Sequence, residues 1–310
     1  MADNRKEADL TPIDDLVARL KLDPLDRDLF LGDPGKGKGR LFGGLVAAQC
    51  VMAAFATLDH EQEDGGESGK SSSKDDAAAS LLHSIHAYFL RPGRYDLPIR
   101  FVVDRIRDGR TFTTRRVVAH QGGEAIFNMA ASFARPEEGM SHQRPMPEVD
   151  SPDGLEEWTT LRARRMGIPE PTSFDNPIEI RVLDGSAFVD HRPQDPVRQL
   201  WIRPRGVIPD DPALHTAVLV YATDRTLIST AVVASGRVMG KDVMGASLDH
   251  AVWFHHPIRF DNWLLYSSMS PISHAARGLI FGALYEEDGT QLASVAQEAL
   301  IRIRRKKEKS

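Results

Sequence analysis

Two stretches of sequence decide the fold: Ser84-Ile85-His86-Ala87-Tyr88-Phe89-Leu90-Arg91-Pro92 and, about 165 residues later, Asp249-His250-Ala251-Val252-Trp253-Phe254-His255-His256-Pro257. In each stretch, aromatic residues lead to a proline, and two strand-like runs divided by a Gly-containing turn follow. The spacing exceeds the roughly 20 to 50 residues of a solenoid repeat and therefore indicates a duplicated domain. A site built between two similar halves needs catalytic groups in only one of them.

The composition is that of a globular protein with room for two domains. The chain has 310 residues, of which 41% are hydrophobic and 27% charged, and a formal net charge of −5. This balance argues against a nucleic-acid-binding protein. A single cysteine, Cys50, excludes an internal disulfide and an all-cysteine metal site. The adjacent His255 and His256 have no third ligand at metal spacing, so we expect no metal. No cofactor is expected either.

The sequence contains no targeting or membrane-spanning pattern. No apolar run approaches about 18 residues, and the N-terminus lacks the apolar segment of a signal peptide. The C-terminus does not end in the Ser-Lys-Leu peroxisomal address. These features predict a cytoplasmic protein without a membrane span.

In the first half, hydrophobic periodicity predicts two helices followed by strands. An amphipathic helix is expected over 8–21, and Gly43-Gly44 opens an apolar helix that is expected from Leu45 to about Leu58. A polar, low-complexity segment at 60–79 predicts a disordered insertion. Short turns between neighbouring runs predict antiparallel pairing of the strands. These strands are expected at about 81–91, 97–107, 111–120 and 124–135.

The second half repeats this order. An acidic N-cap followed by a proline, Asp211-Pro212, predicts a helix that runs to Asp224 or Arg225. A linker with a helical piece near Trp158 is expected before it. Each half is therefore predicted to be one helix wrapped by antiparallel strands, which is an α+β fold. The strands of this half are expected at 178–184, 197–203, 247–256, 261–271, 275–286 and 291–304.

Three polar residues stand out in otherwise apolar elements. Asp224 closes a helix that is apolar nearly all round, which is typical of a buried helix. A buried aspartate is costly unless it is paired, hydrogen-bonded or catalytic. This helix alone nevertheless favours the interpretation that Asp224 lies where the helix emerges into solvent. Ser247 precedes a strand, and Gln297 interrupts an apolar one. Each residue is a weak signal by itself.

Seven segments along the chain match the sequence pattern of one family. They are Gly39–Gly44, His83–Gly93, Arg107–Arg110, Pro209–Asp211, Tyr221–Asp224, Ser247–His255 and Gln297-Glu298. Through them the chain resembles the acyl-CoA thioesterase II family over almost its whole length. The resemblance implies a double hotdog: an N-terminal hotdog domain at 1–140, a linker at 141–175, a C-terminal hotdog domain at 176–304 and a basic tail at 305–310. It implies hydrolysis of fatty acyl-CoA to the free acid and CoA.

By this resemblance, the catalytic set consists of Asp224, Ser247 and Gln297. Asp224 is expected to accept a proton from a water that Ser247 and Gln297 hold in line with the thioester carbonyl. The backbone N–H groups of Gly43 and Gly44, at a helix N-terminus, are the candidates to stabilise the oxyanion.

The partner that we expect is the acyl-CoA substrate. Its phosphates would bind basic side chains, for which Lys36, Lys38 and Arg40 are candidates. A homo-oligomer, either a dimer or a tetramer, is also expected because hotdog sheet edges pair between chains.

Two other functions compete with this one. The first is a hotdog enoyl-CoA hydratase, but its Gly-Asp-x-Asn-Pro-x-His type of motif is absent from the sequence. The second is a non-catalytic acyl-CoA-binding protein, which would have no need of all three polar residues.

Overall fold

The structure, a computed structural model, describes residues 11–58, 80–170, 176–185 and 192–304. The predicted insertion at 60–79 and the basic tail at 305–310 lie outside the described residues. Within the described ranges, no helix combines the length and the apolar character that crossing a membrane requires.

Helix α1, Pro12–Leu20, begins where Thr11 and Asp14 form a capping box. The Asp14 carboxylate accepts from the Thr11 backbone N–H at 3.0 Å, and the Thr11 hydroxyl accepts from the Asp14 N–H. Its apolar stripe faces the core, with Ile13 and Leu20 fully buried. The predicted helix was longer, but the part of it before residue 11 lies outside the described residues.

Two apolar helices form the centre of the molecule. These are α2, Gly43–Phe55, and α4, Pro212–Thr223, and both are buried on almost every side. They pack against each other. The Asp211 side chain accepts from the Ala213 N–H at 2.8 Å and so provides the predicted N-cap of α4. Burial on all sides follows from sequences that carry no polar face.

Strands and smaller helices surround this pair. A hairpin at 23–32, a helix at 227–233 and a strand at 243–247 were not predicted, and the strand expected at 247–256 runs over Asp249–Phe254. The elements are β1 Asp23–Asp26, β2 Leu29–Gly32, β3 Leu81–Phe89, β4 Ile99–Asp108, β5 Phe112–Gln121, β6 Glu124–Ala134, α3 Trp158–Met166, β7 Ile178–Val182, β8 Val197–Pro204, α5 Leu227–Val233, β9 Val243–Ser247, β10 Asp249–Phe254, β11 Leu264–His274, β12 Arg277–Glu286 and β13 Gln291–Ile303.

The described strands form one continuous sheet. Its order is β1-β2-β4-β5-β6-β3-β10-β13-β12-β11-β8-β7, with β9 paired to β13. The two halves meet where β3 and β10 pair antiparallel, with Ile85 opposite Val252. On either side of this junction the strand order is mirrored, so the halves are related by an approximate two-fold axis. The predicted α+β class and double-hotdog arrangement are confirmed.

The predicted pairing of β3 with β4 is wrong. After β3, the N–H groups of Leu90 and Arg91 both bond the carbonyl of Ile126 at the edge of β6. Pro92 and Pro98 then break the strand pattern, and the chain crosses to the far side of β5 before β4 begins. Strand β3 consequently pairs with β6, which leaves its other edge free to join β10.

Candidate active site

Asp224 lies at the junction of the two central helices. It is the C-cap of α4 and is only 7% exposed, so the alternative that the helix emerges there into solvent is wrong. A Cβ built on Gly43, the first residue of α2, would lie 3.2 Å from Asp224 Oδ2. The carboxylate of one half therefore faces the helix N-terminus of the other half.

Burial raises the pKa of Asp224 to about 6, because desolvation penalises the charged carboxylate. Hydrogen bonds from Ser247 and from the Gly44 N–H, the nearby charge of Arg225 and a hydrogen bond from Gln297 oppose this rise. The carboxyl group can therefore lose and regain a proton close to neutral pH. That property suits a general base.

The structure brings Ser247 and Gln297 to this carboxylate. Ser247 ends β9, and its Oγ donates to Asp224 Oδ1 at 2.8 Å. Gln297 is fully buried in β13, and its Nε2 donates to Ser247 Oγ at 3.0 Å. All three predicted catalytic residues thus lie in one chain of hydrogen bonds, although they come from three separate elements.

Two further buried residues extend this chain of hydrogen bonds and were missed from the sequence. His250 Nδ1 lies 2.7 Å from Gln297 Oε1, and His250 Nε2 lies 2.9 Å from Thr223 Oγ1. Burial lowers the pKa of His250 to about 4, and its hydrogen bond to Gln297 offsets this only in part. The alternation of β10 could have placed His250 on the buried face, but nothing local indicates its partners.

Ser247 is not arranged as a nucleophile activated by histidine. The Gln297 amide lies between it and His250, and the Ser247 hydroxyl donates to a carboxylate instead. The arrangement instead suits a buried carboxylate that takes a proton from water beside a hydroxyl group and an amide. Within the described ranges, no three His, Cys, Asp or Glu residues cluster in a way that could hold a metal ion.

Close packing explains the two glycines that open α2. A Cβ on Gly43 would collide with the Phe89 ring, and one on Gly44 would lie 2.8 Å from the carbonyl oxygen of Tyr221. Both predicted oxyanion residues are thus next to Asp224. The Gly44 N–H already interacts with its carboxylate.

A cleft opens beside these glycines. The Arg225 guanidinium stacks over the Phe42 ring at 4.9 Å and donates to Tyr221 Oη at 3.1 Å. These interactions fix two aromatic walls of the cleft next to the facing ends of α2 and α4. Its lining includes Leu16, Arg19, Phe42, Leu45, Tyr95 and Tyr221.

The predicted basic cluster borders this cleft but does not touch Asp224. Lys36, Lys38 and Arg40 are exposed, and the loop that carries them packs on the cleft. A Cβ on Gly37 would lie 2.6 Å from Tyr95 Cζ, and one on Gly35 would collide with the Arg19 guanidinium. None of the three basic side chains forms an ion pair with the part of the chain that is described.

The opposite end of the helix pair holds a different group. Arg115 in β5 is fully buried, and its guanidinium donates to both Thr57 Oγ1, at 3.0 Å, and Thr57 O, at 3.1 Å, just after α2 ends. It also pairs with Asp108 at 2.5 Å. The approximate two-fold axis relates the C-terminal end of α2 to the C-terminal end of α4. Arg115 therefore binds at the end of α2 that corresponds to the position of Asp224 on α4.

Comparison with known proteins identifies relatives along almost the whole chain. Residues 183–300 match a family model described as acyl-CoA thioesterase. Residues 33–134 match a second model, described as the N-terminal domain of acyl-CoA thioesterase. The second segment contains α2 and β3 to β6, and the first contains α4 and most of the strands from β8 to β13.

Individual relatives agree with these matches. The chain is 34% identical to the mouse protein acyl-coenzyme A thioesterase 8, over 92% of this chain and 88% of that protein. It is 31% identical to acyl-CoA thioesterase 2 of Haemophilus influenzae, over 94% and 98%. A solved acyl-CoA thioesterase II from Mycobacterium marinum superposes with a TM-score of 0.72 and 33% identity, over 93% and 98% of the two chains.

Proposed function

The chain belongs to the acyl-CoA thioesterase II family, and from that premise we propose that Asp224, Ser247 and Gln297 activate the attacking water. The chain is an acyl-CoA thioester hydrolase. Its reaction converts a thioester and water into CoA and a free carboxylic acid.

In the proposed mechanism, the Asp224 carboxylate is the general base. Its Oδ1 is engaged by Ser247, so Oδ2 accepts the hydrogen bond from the water. As the water oxygen attacks the thioester carbonyl carbon, its proton passes to the carboxylate. When the tetrahedral intermediate collapses, the carbon–sulfur bond breaks and the same proton passes to the leaving CoA thiolate. Water is consumed, and Asp224 returns to its ionised form.

The attacking water and the developing negative charge have separate proposed positions in the site. The water would occupy the space beside Asp224 Oδ2, near the start of α2, because Oδ1 is engaged by Ser247. Ser247 and Gln297 orient the carboxylate so that Oδ2 faces this space. The oxyanion would meet the first turn of α2, at Gly43 and Gly44, since a helix N-terminus favours negative charge. Of these two N–H donors, Gly44 is the less available, because it already interacts with the Asp224 carboxylate.

The substrate that we propose is a fatty acyl-CoA entering along the cleft. Leu16, Leu45 and the two aromatic rings of Phe42 and Tyr221 supply apolar surface beside the catalytic helix ends. The basic loop with Lys36, Lys38 and Arg40 borders the same cleft, so the CoA phosphates would bind there. A role in fatty-acid metabolism, a cytoplasmic location and a homo-oligomeric state stay predictions.

The observation that carries this proposal is the hydrogen-bonded contact of Ser247 and Gln297 with a buried carboxylate. The test is Asp224→Asn, which keeps the shape of the side chain and removes the base. Thiol release from palmitoyl-CoA should fall by roughly 10²- to 10⁴-fold, with little change in the circular dichroism spectrum.

Asp249→Asn is the matched control, because Asp249 also lies near the site but accepts from the Glu298 N–H. It should retain most of the activity. Normal turnover by a folded Asp224→Asn protein would refute the mechanism. Binding of palmitoyl-CoA by the unmodified protein without release of thiol would instead support the alternative of a non-catalytic acyl-CoA-binding protein.

A further inference from the structure

Five side chains form an unbroken row of hydrogen bonds at the site. Thr223 Oγ1 and His250 Nε2 are 2.9 Å apart, His250 Nδ1 and Gln297 Oε1 are 2.7 Å apart, and Gln297 Nε2 and Ser247 Oγ are 3.0 Å apart. The row ends at Asp224. Thr223, His250 and Gln297 are fully buried, so water cannot supply alternative partners.

Each donor in the row can be assigned by starting at the carboxylate. An ionised carboxylate only accepts, so the single Ser247 proton points to Asp224. The Ser247 oxygen must then accept from the Gln297 Nε2 group. That orientation turns Gln297 Oε1, which is an acceptor, towards His250 Nδ1.

The remaining proton positions follow from the neutral imidazole. Nδ1 of His250 must carry the proton that Gln297 Oε1 accepts, so Nε2 is bare and accepts from the Thr223 hydroxyl. Thr223 Oγ1 also lies 2.9 Å from the Val220 carbonyl. Donation there would require a proton on Nε2 instead, and it would place two acceptors 2.7 Å apart at Gln297. Every hydrogen bond in the row consequently points towards Asp224.

We infer that Thr223 and His250 are positioning residues, which hold the Gln297 amide with its nitrogen facing Ser247. This inference rests on the proposed function. Without the His250 donor, the amide can rotate by half a turn and present its oxygen to Ser247. The Ser247 hydroxyl would then have two competing acceptors, and the Asp224 carboxylate would lose its fixed orientation. Neither residue needs to contact substrate for this effect.

The test compares Thr223→Val with Thr223→Ser. Valine keeps the shape of threonine and removes the hydroxyl, whereas serine keeps the hydroxyl. Thr223→Val should lower kcat about 10-fold, which corresponds to the loss of one buried hydrogen bond. It should leave KM within about 2-fold of the unmodified value. Thr223→Ser should retain kcat within about 2-fold. Equal kcat in both variants would overturn the inference.

A second pair of variants protects the test against a folding defect. Asn at position 250 can place an N–H donor close to the position of Nδ1, and Leu cannot. We therefore expect His250→Asn to keep more kcat than His250→Leu when both are folded. The reverse order, measured on proteins with matched melting temperatures, would contradict the positioning role.

Nitrogen-15 NMR of the histidine rings reads the tautomer directly, with the His250 signal assigned by its loss in His250→Asn. The unmodified protein should show a protonated Nδ1 and a bare Nε2, and Thr223→Val should shift this pattern. A protonated Nε2 in the unmodified protein would overturn the inference. The spectrum needs no turnover, so it stays decisive even if Asp224→Asn proved active and the proposed function failed.

Discussion

The Asp224 carboxylate lies directly against Gly43: a Cβ on that glycine would lie 3.2 Å from Oδ2. Asp224 ends the helix of the second half of the chain, and Gly43 begins the helix of the first. The proposed base and the helix N-terminus that faces it therefore come from different halves. The site therefore requires the two helices to be packed together.

The pH dependence of hydrolysis should report the ionisation of Asp224. A general base acts in its ionised form, and burial raises the pKa of this carboxyl group to about 6. We expect kcat/KM to rise about tenfold per pH unit below that value and to level off above it. Steady-state kinetics between about pH 4.5 and 8 check this, and Asp249→Asn should keep the same midpoint. A flat profile would exclude Asp224 as the base.

Asp224→Asn should stabilise the protein at neutral pH. The pKa of Asp224 is raised from the ordinary 3.8 to about 6, so the folded state holds a proton that the unfolded state has released. The stability of the unmodified protein should thus fall as pH rises from about 4 to 6. The variant lacks this loss, so its free energy of unfolding at pH 7.5 should exceed that of the unmodified protein by on the order of 2 to 3 kcal/mol. Urea unfolding at pH 4 and 7.5 should show the difference widening with pH.

Gly43→Ala should impair catalysis through crowding. The new methyl group would collide with the Phe89 ring and press on Asp224 Oδ2, where we place the attacking water. We expect kcat to fall on the order of 10- to 100-fold. Gly139→Ala is the control, because a Cβ at Gly139 meets nothing within 4 Å. Similar kcat values for the two variants would show that the space beside Gly43 has no catalytic use.

Replacing Lys36, Lys38 and Arg40 together by Ala should raise KM for acyl-CoA and leave kcat unchanged. All three are exposed beside the cleft, and charge pairing with phosphates weakens with salt. The difference in KM should therefore shrink at high ionic strength. The control replaces three exposed arginines elsewhere, Arg110, Arg135 and Arg144. An unchanged KM at low ionic strength would remove the loop from substrate binding.

Arg115→Met should destabilise the fold without changing turnover by the folded protein. The buried guanidinium satisfies the Thr57 carbonyl and hydroxyl oxygens, so its loss should cost about 2 to 4 kcal/mol. Arg116→Met is the neighbouring control, because the Arg116–Asp104 pair is exposed on both sides and should contribute at most about 1 kcal/mol. Thermal unfolding and kcat per folded molecule separate the two effects.

Local patterns explain which parts of the fold could be predicted. Asp211-Pro212 marked the start of α4, and its uniformly apolar sequence predicted burial. Because a buried aspartate is costly, that predicted burial drew attention to Asp224. Helix α5 could not be found in this way, because its sequence Leu-Ile-Ser-Thr-Ala-Val-Val is typical of a strand. It is helical where it packs on β11 and β12.

Non-local contacts limit how much of the candidate site can be predicted from the sequence. The resemblance supplied Asp224, Ser247 and Gln297, but His250 bonds a residue 47 positions away. Thr223 bonds His250 from another element, 27 positions away. Both pairings depend on how β10 and β13 lie beside the end of α4. No spacing rule within one strand or helix encodes that placement.

The different fates of the two helix ends, Asp224 at one and Arg115 at the other, have an evolutionary consequence. A dimer of identical subunits must accept every substitution twice, once in each of its equivalent sites. Joining two copies in one chain removes that coupling. One end could then keep an energetically costly buried acid for chemistry, while the other was filled by a cation that binds the residue just beyond the helix. After covalent duplication, one helix end can thus be used for activity at a cost in stability, while the other end contributes to stability alone.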